Sequence, residues 1–305
     1  MYQCCECDEY FSETYGSPIA GLLTPISAIV QVLKARTEGI GLNAAVRTFG
    51  YAKNTISGRE RRLAGLHQTL FLYGLVYEFL QLIFEGDELY TKVKKNRDAH
   101  ESEGWTIVVM ERASRYIAVL ECGVKQQHLF MKAVETIVSF FEQSKAVALF
   151  IDGERRYSQL LFDICHEVFR SGKAGRLKKV MKKNCVVRLK NKSSKRRDSE
   201  GKLKKIEAPK PEHPETTMAV DETEVHANHV EAFKLSIRRR LSSFRRRTNT
   251  YAKGQPHLQR GLDILWIIHN FVKPHFTIGK VPAVAIGILK RGLSLEEILQ
   301  LRAIV

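Results

Sequence analysis

Residues 104–123 read GWTIVVMERASRYIAVLECG, and this stretch decides the fold class. Its two runs rich in β-branched and aromatic residues, Gly104–Glu111 and Arg115–Cys122, predict strands, and Ala113-Ser114 between them predicts a hairpin turn. A similar run precedes them at Leu82–Lys94. The sequence therefore predicts three consecutive strands that pair with one another.

A helix, a strand and a second helix are predicted to follow this meander. Helical spacing of apolar residues covers about Gln126–Gln143 and again about Tyr157–Phe169. Between the two lies a short apolar run, Ala146–Ile151, which ends at Asp152-Gly153. Three strands, a helix, a strand and a helix make a mixed α/β order and not an all-parallel one. The predicted fold class is α/β, with a mixed sheet and flanking helices.

The residues before the sheet predict an all-α unit. From Thr24 to about Leu66 the pattern is helical, and it is interrupted by Gly39 and Gly50. The third helix begins near Ala52 and is polar and basic. This order is typical of a helix-turn-helix unit, whose last helix reads the major groove, although an ordinary three-helix bundle gives the same pattern. A linking helix is predicted over residues 67–83.

The positive charge of the chain is concentrated in two bands. The 305 residues carry a formal net charge of +16. Residues 170–205 alone have a net charge of +14 and residues 231–253 have +7, so the remainder is slightly acidic. Such bands favour a polyanionic partner, because neutralised phosphates release their counterions. A solvated, charged insertion over residues 170–222 is the alternative for the first band.

Several protein classes are excluded by the sequence. No run of about 18 uncharged apolar residues predicts a membrane-spanning helix, and the N-terminus lacks the pattern of a secretion signal. The cysteines cluster at one end and do not form a disulfide framework. A reduced, cytosolic chain is the prediction. The six cysteines are Cys4, Cys5, Cys7, Cys122, Cys165 and Cys185, of which the last three are predicted to be core or incidental thiols.

Three carboxylates stand out by their positions. Asp87 lies within the first predicted strand, Asp152 ends the fourth, and Glu231 lies on the polar side of an amphipathic helix. Three convergent acids without a histidine suit hard cations, and two Mg²⁺ ions about 3.5–4 Å apart support phosphoryl transfer. The alternative is chance, because three acids can always be chosen from the 33 in the chain. Glu224 is a rival for the third acid.

Short motifs along the chain resemble those of one family in the same order. The N-terminal motifs are Tyr2–Cys7, similar to the end of a zinc ribbon, and Asn43–Gly50 with Asn54–Ser57, similar to a helix-turn-helix. Asp87–Tyr90, Phe150–Gly153 and His229–Phe233 resemble three catalytic motifs, and Arg238–Leu241, Arg245–Thr248 and Tyr251–Lys253 resemble the basic helix after them. Together they resemble bacterial transposases of the insertion-sequence-one type, which belong to the DDE group and have an RNase H-like core.

The resemblance implies an activity and its ligands. Asp87, Asp152 and Glu231 would be both the catalytic residues and the ligands of two Mg²⁺ ions, which Mn²⁺ can replace. Glu231 is preferred to Glu224 because Arg238 follows it by seven residues, as in the family. The implied reaction is strand cleavage and strand transfer at the ends of an insertion sequence. The implied partners are double-stranded DNA and further copies of the chain, in a bacterial or archaeal cytoplasm, at the nucleoid when bound.

Two departures from the family keep other interpretations open. Lys234 stands where the family commonly has Asn, and Cys4 with Cys7 makes only one zinc knuckle where four ligands are needed. We therefore expect that this chain alone does not hold zinc tightly. One alternative function is a catalytically inactive, transposase-derived DNA-binding protein. Another is an RNase H-like repair nuclease, which shares the triad and needs no unit for end recognition.

The resemblance also divides the chain. The expected parts are a partial zinc-ribbon remnant (1–23), a helix-turn-helix domain (24–66), a linker helix (67–81), an RNase H-like catalytic domain (82–273, with a basic insertion at 170–222) and a C-terminal helical tail (274–305). The side chains expected to contact DNA are polar or basic. They are Lys53, Asn54, Thr55, Arg59, Arg61, Arg62, Arg238, Arg239, Arg240, Arg245, Arg246, Arg247 and Lys253.

Overall fold

The structure is a computed structural model, and it describes most of the chain. The described residues are 1–94, 98–151, 154–170, 177–182, 185–189, 194–197, 201–206, 226–245 and 249–303. The first elements are a short antiparallel hairpin and four helices. Their bounds are β1 Tyr2–Gln3, β2 Tyr10–Phe11, α1 Ile26–Thr37, α2 Leu42–Phe49, α3 Lys53–Ala64 and α4 His67–Gly74.

The three helices predicted before Leu66 are present. A three-residue turn connects α2 to α3, and it begins at Gly50, whose φ of 72° is left-handed and suits glycine. A small core of Val32, Ala45 and Ile56 holds α1, α2 and α3 together. The larger core of the molecule also takes in side chains of α1 and α3. The helix-turn-helix role and the domain boundaries stay predictions.

A mixed sheet of five strands forms the centre. Its strands are β3 Phe79–Tyr90, β4 Trp105–Glu111, β5 Ile117–Gly123, β6 Ser144–Ile151 and β9 Cys185–Leu189, in the order β5-β4-β3-β6-β9. The three consecutive strands are antiparallel neighbours, whereas β6 is parallel to β3 and β9 is parallel to β6. The parallel return from β5 to β6 requires a crossover, and helix α5 (Gln127–Glu142) supplies it. This architecture confirms the α/β class and is compatible with an RNase H-like core.

The remaining elements flank the sheet. They are α6 Arg155–Ile164, β7 His166–Phe169, β8 Lys178–Met181, β10 Ser194–Arg197, β11 Leu203–Ile206, α7 Asn228–Arg240, α8 Gln255–Ile267, α9 Pro282–Ala285 and α10 Leu295–Gln300. Helix α5 packs against one face of the sheet, where the rings of Phe84 and Phe140 are 5.8 Å apart. Helix α7 packs against β3 and β4. Helix α10 begins with a capping box formed by Ser294 and Glu297.

Helix α8 and the π-helical turn after it, residues 268–272, protect the outer edge of β5. The amide of Gln259 accepts from the Cys122 N–H at 2.8 Å and donates to the Leu120 carbonyl at 3.0 Å. The fully buried Asn270 bonds both backbone groups of Ile117 at 2.9 Å. The backbone groups of an unpaired strand edge can pair with another chain. Here the side chains of Gln259 and Asn270 form hydrogen bonds with those groups instead.

Three sequence predictions differ from the structure. The linking helix ends at Gly74 and β3 begins at Phe79, so most of residues 75–83 were wrongly predicted as helix. The helix predicted to Phe169 ends at Ile164, because β7 pairs with β8 there. Residues 185–189 lie within the predicted basic insertion, yet their backbone pairs with β6 as the fifth strand. Tertiary pairing overrides local spacing in each case.

No helix within the described ranges is long and apolar enough to cross a lipid bilayer.

Candidate active site

Asp87 lies near the carboxyl end of β3 and faces helix α7. One of its carboxylate oxygens accepts the N–H of Glu88 at 2.6 Å, and the other pairs with the ammonium of Lys234 from α7. The side chains of Asp87 and Lys234 are 12% and 15% exposed. Lys234 therefore contacts the first predicted acid.

Asp152 lies outside the described residues, together with Gly153. The described part of β6 ends one residue earlier at Ile151, whose partner in the parallel ladder is Gly86. Gly86 directly precedes Asp87. The last described residue of β6 is thus registered beside the part of β3 that carries the first acid.

Glu231 lies in the first turn of α7 and is exposed. Lys234 follows it by three residues, and Arg238 follows Lys234 by four, a spacing that places all three on one face of the helix. The neighbouring face is apolar and buries Val230 and Ile237. Because Lys234 contacts Asp87, this polar face is directed toward the end of β3 that carries Asp87. The rival acid Glu224 lies outside the described residues.

Glu85 is a charged group of the same strand that was missed from the sequence. It is fully buried and lies two residues before Asp87, hence on the same face of β3. One carboxylate oxygen accepts a hydrogen bond from Nε of Arg112 at 2.8 Å. The other accepts hydrogen bonds from the backbone N–H groups of His229 and Val230 at 2.9 and 3.3 Å. Glu85 therefore anchors the positive N-terminal end of α7 to the sheet. An acid in the middle of an apolar strand was the available signal.

Glu85, His226 and His229 form the one group of three potential transition-metal ligands found among the described residues. Nδ1 of His226 is 3.4 Å and Nε2 of His229 is 4.0 Å from one oxygen of Glu85. Burial lowers the pKa of His229, which favours the neutral imidazole that metals require. The guanidinium of Arg112 contacts the same carboxylate oxygen, however, and its charge opposes a metal ion there.

A second charged cluster lies on the opposite face of β3. The ammonium of Lys125 is 3.2 Å from the carboxylate of Glu88 and 3.5 Å from that of Glu154. Burial raises the pKa of Glu88, and the nearby Lys125 opposes that shift. Arg156 pairs with Glu154 at 2.8 Å and completes the cluster. Because strand side chains alternate, Glu88 and Asp87 belong to different faces although they are adjacent in sequence.

Helix α3 divides its predicted DNA-contacting side chains into two groups. Arg59 is only 5% exposed, donates to the Thr24 hydroxyl at 2.8 Å and lies 4.2 Å from the ring centre of Tyr51. It serves the packing of α3, so it is removed from the surface available to DNA. The exposed side chains on this helix are Lys53, Asn54, Thr55, Arg61 and Arg62.

The second basic band is likewise divided. Arg239 and Arg245 are exposed, whereas Arg240 is buried. Lys253 is exposed and its ammonium lies 4.2 Å from the ring centre of Tyr251. Arg246 and Arg247 lie outside the described residues, as does much of the chain between residues 170 and 205.

The N-terminal cysteines occupy the tip of the hairpin formed by β1 and β2. Hydrogen bonds from the backbone of Cys7 and of Glu6 lower the pKa of Cys4, a typical property of a metal-binding knuckle. Cys122 and Cys165 are buried, as expected of core thiols. The side chain of Cys185 is not described.

Comparisons with known proteins add little to this geometry. No protein-family model matches the chain, and no curated protein matches it. Among solved structures, a chain in the crystal structure of the Mos1 strand transfer complex is similar at 8% identity and a TM-score of 0.18. The match covers 46% of this chain and 55% of that one. A similarity at this level does not establish a shared fold, and the case for function depends on the site itself.

Proposed function

We propose that the protein is a DDE-type DNA transposase that cleaves and transfers strands at the ends of a mobile element. The observation that carries the proposal is the contact between Lys234 of α7 and Asp87 of β3. It brings the helix that carries Glu231 to the strand that carries the first acid, beside the end of β6. Asp152 directly follows that end in sequence. In the proposal Asp152 joins Asp87 and Glu231, and the three acids follow one another in the order of the family's motifs.

The residues present fit a hard divalent cation. Asp87, Asp152 and Glu231 would hold Mg²⁺ through carboxylate oxygens, which this ion prefers. In the structure the ammonium of Lys234 pairs with one oxygen of Asp87, so a metal ion would have to displace this ammonium to bind that oxygen. When bound, such ions activate the attacking oxygen and stabilise the leaving oxygen of a phosphodiester.

The chain's own cations would position the DNA. Arg238 lies on the same face of α7 as Glu231 and Lys234, one turn further on, where it can hold a backbone phosphate next to the acids. The exposed polar face of α3 would bind the element end, and further copies of the chain would bring a second end to the complex. These roles agree with the excess of basic residues in the band at 231–253.

The test uses a duplex that carries the inverted repeats flanking the coding region. The protein should join this end to a target duplex in Mg²⁺ or Mn²⁺, and Asp152→Ala or Glu231→Gln should abolish joining while DNA binding persists. Transfer by both variants at the wild-type rate would refute the assignment. Cleavage that ignores the end sequence would favour a repair nuclease instead.

One observation favours a second function, a catalytically inactive DNA-binding protein. Lys234 already neutralises Asp87, and the family commonly has an uncharged Asn at its position. This alternative predicts salt-sensitive DNA binding without cleavage in either metal ion. If Lys234→Asn gained cleavage that the wild type lacks, the lysine would be the inactivating change.

A further inference from the structure

A cavity of about 700 Å³ opens on the flank of α7 that faces away from Asp87. Successive residues of a helix are 100° apart, so Ala232, Ser236 and Arg239, which line the cavity, lie on the side opposite Glu231, Lys234 and Arg238. The far wall is the segment Lys273–Thr277 after the π-helical turn. The volume is in the range of sites that bind a small molecule or a single nucleotide.

The lining of the cavity is cationic. Arg115, Arg239, Arg240 and Lys273 contribute to it, and no described lining residue is an acid. Three histidines, His229, His269 and His275, also line the cavity, and burial lowers the pKa of each, to about 3 for His269. The positive charge therefore comes from the arginines and the lysine. Lys273 is partly balanced by Glu38, whose carboxylate lies 2.9 Å away.

Arg240 is the side chain that most needs an anion. It is 6% exposed, and within the described part of the chain its Nε has no hydrogen-bond partner. Burial lowers the pKa of its guanidinium, and Glu38 opposes that shift from a distance. A buried N–H donor without an acceptor costs free energy unless a ligand supplies one. An anion in the cavity would provide the missing acceptor.

A solvent-exposed aromatic side chain lies at the mouth of the cavity. Phe276 is fully exposed, at 101% of its reference area. Bases of single-stranded nucleic acid stack on exposed aromatic rings beside cationic grooves, and every base offers a face for this contact. The cationic lining suits the phosphate of a nucleotide, and the aromatic ring at the rim suits its base.

We propose that this cavity binds one nucleotide of a single DNA strand, with its phosphate on Arg240 and Arg115 and its base on Phe276. The proposal rests on the DNA-binding part of the proposed function and extends it to a contact on the other flank of α7. A strand is favoured over a free nucleotide because Arg239 and Arg245 on the surface nearby offer further phosphate contacts.

The experiment measures binding of the full-length protein to a fluorescein-labelled, single-stranded 12-mer by anisotropy, in EDTA so that no metal-dependent step contributes. Phe276→Ala should weaken binding about 5- to 160-fold, the range that corresponds to the loss of one stacked base. Leu23→Ala removes an equally exposed side chain elsewhere and should bind as the wild type does. Lys273→Gln should lower the slope of log affinity against log salt by about 0.7. The control is Lys290→Gln, an exposed lysine outside the cavity lining, which should leave the slope unchanged.

Three results would overturn the proposal. One is wild-type affinity in Phe276→Ala together with an unchanged salt slope in Lys273→Gln. The second is deoxyadenosine monophosphate competing as tightly as the 12-mer, which would assign the cavity to free nucleotides. The third is that inorganic phosphate competes with the 12-mer while Phe276→Ala binds it as the wild type does. This result would show that the cavity binds an anion and no base. The assay needs no catalysis. If the protein binds the 12-mer but performs no strand transfer, the proposed transposase activity is refuted and the proposed nucleotide site still stands.

Discussion

Glu85 and Asp87 are two carboxylates on one face of one strand, and they differ in what surrounds them. Glu85 is fully buried and receives three hydrogen bonds from Arg112 and the first turn of α7. Asp87 is slightly exposed and pairs with one lysine. All the side-chain and helix-end partners of Glu85 belong to the fold, whereas Asp87 has one side-chain partner, Lys234, that a ligand can displace, besides the local N–H of Glu88. Partner number, and not the residue type, separates a structural acid from a candidate catalytic one.

The largest expected effect concerns Asp87. Asp87→Asn should reduce strand transfer about 10³-fold or more, because a ligand of the proposed metal ions is lost. Its free energy of unfolding should fall less than in Glu85→Gln, because the side chain of Lys234 is 15% exposed and can move its ammonium into water. Joining assays and urea titrations measure the two quantities. Asp98→Asn, an exposed acid, serves as the control; a variant that loses stability and keeps activity would reverse the comparison.

Glu85→Gln should show the opposite behaviour. Removing one partner of a buried ion pair leaves Arg112 uncompensated, and we expect the free energy of unfolding to fall by about 3–5 kcal/mol. Urea denaturation checks this. The matched control is Glu121→Gln, whose partner Lys132 is half exposed, and it should cost less than about 1 kcal/mol. An equal loss of unfolding free energy in the two variants would contradict the structural role of Glu85.

The lysine on Asp87 gives a smaller effect. Lys234→Asn should raise the affinity for Mn²⁺ about tenfold, equivalent to about 1.4 kcal/mol, because no ammonium competes for the carboxylate. Calorimetry or electron paramagnetic resonance of Mn²⁺ measures the affinity. Lys234→Arg retains the charge and should bind Mn²⁺ as weakly as the wild type. If the Asn and Arg variants bound the ion equally, the competition would be disproved.

The smallest effect is expected for zinc at Glu85. Because both oxygens of this carboxylate already accept hydrogen bonds, Zn²⁺ should raise the melting temperature by less than about 2 °C, in spite of the nearby His226 and His229. Differential scanning fluorimetry with and without a chelator tests this. A rise above 5 °C that His226→Gln abolishes would show that the group does hold a metal ion.

Much of the fold followed from local pattern. The meander, α5 and β6 were predictable because their apolar residues repeat with the period of one element over its full length. Strand β9 was not, since its backbone is recruited by pairing with β6 and its own sequence, CVVRL, stands within a run of lysines and arginines. The spacing of apolar residues within one segment cannot predict pairing with a strand that lies 38 residues away.

The environment of the predicted site residues did not follow from the sequence, and their catalytic role stays a prediction. Motif order selected Asp87 and Glu231, while the burial of Arg59 and Arg240 and the anchoring role of Glu85 depend on which elements pack together. A basic residue on a helix is equally compatible with DNA contact and with an internal hydrogen bond to Thr24. Only the three-dimensional arrangement distinguishes these two uses of one charge.

The covering of β5 by Asn270 has a consequence for synthesis of the chain. Ile117 meets its partner only after a further 153 residues have been made, which takes about 8–30 s at typical translation rates. During that interval the edge of the sheet has backbone groups without their final partners. A nascent chain stalled before Asn270 should accordingly be bound by chaperones, and release should coincide with the emergence of α8.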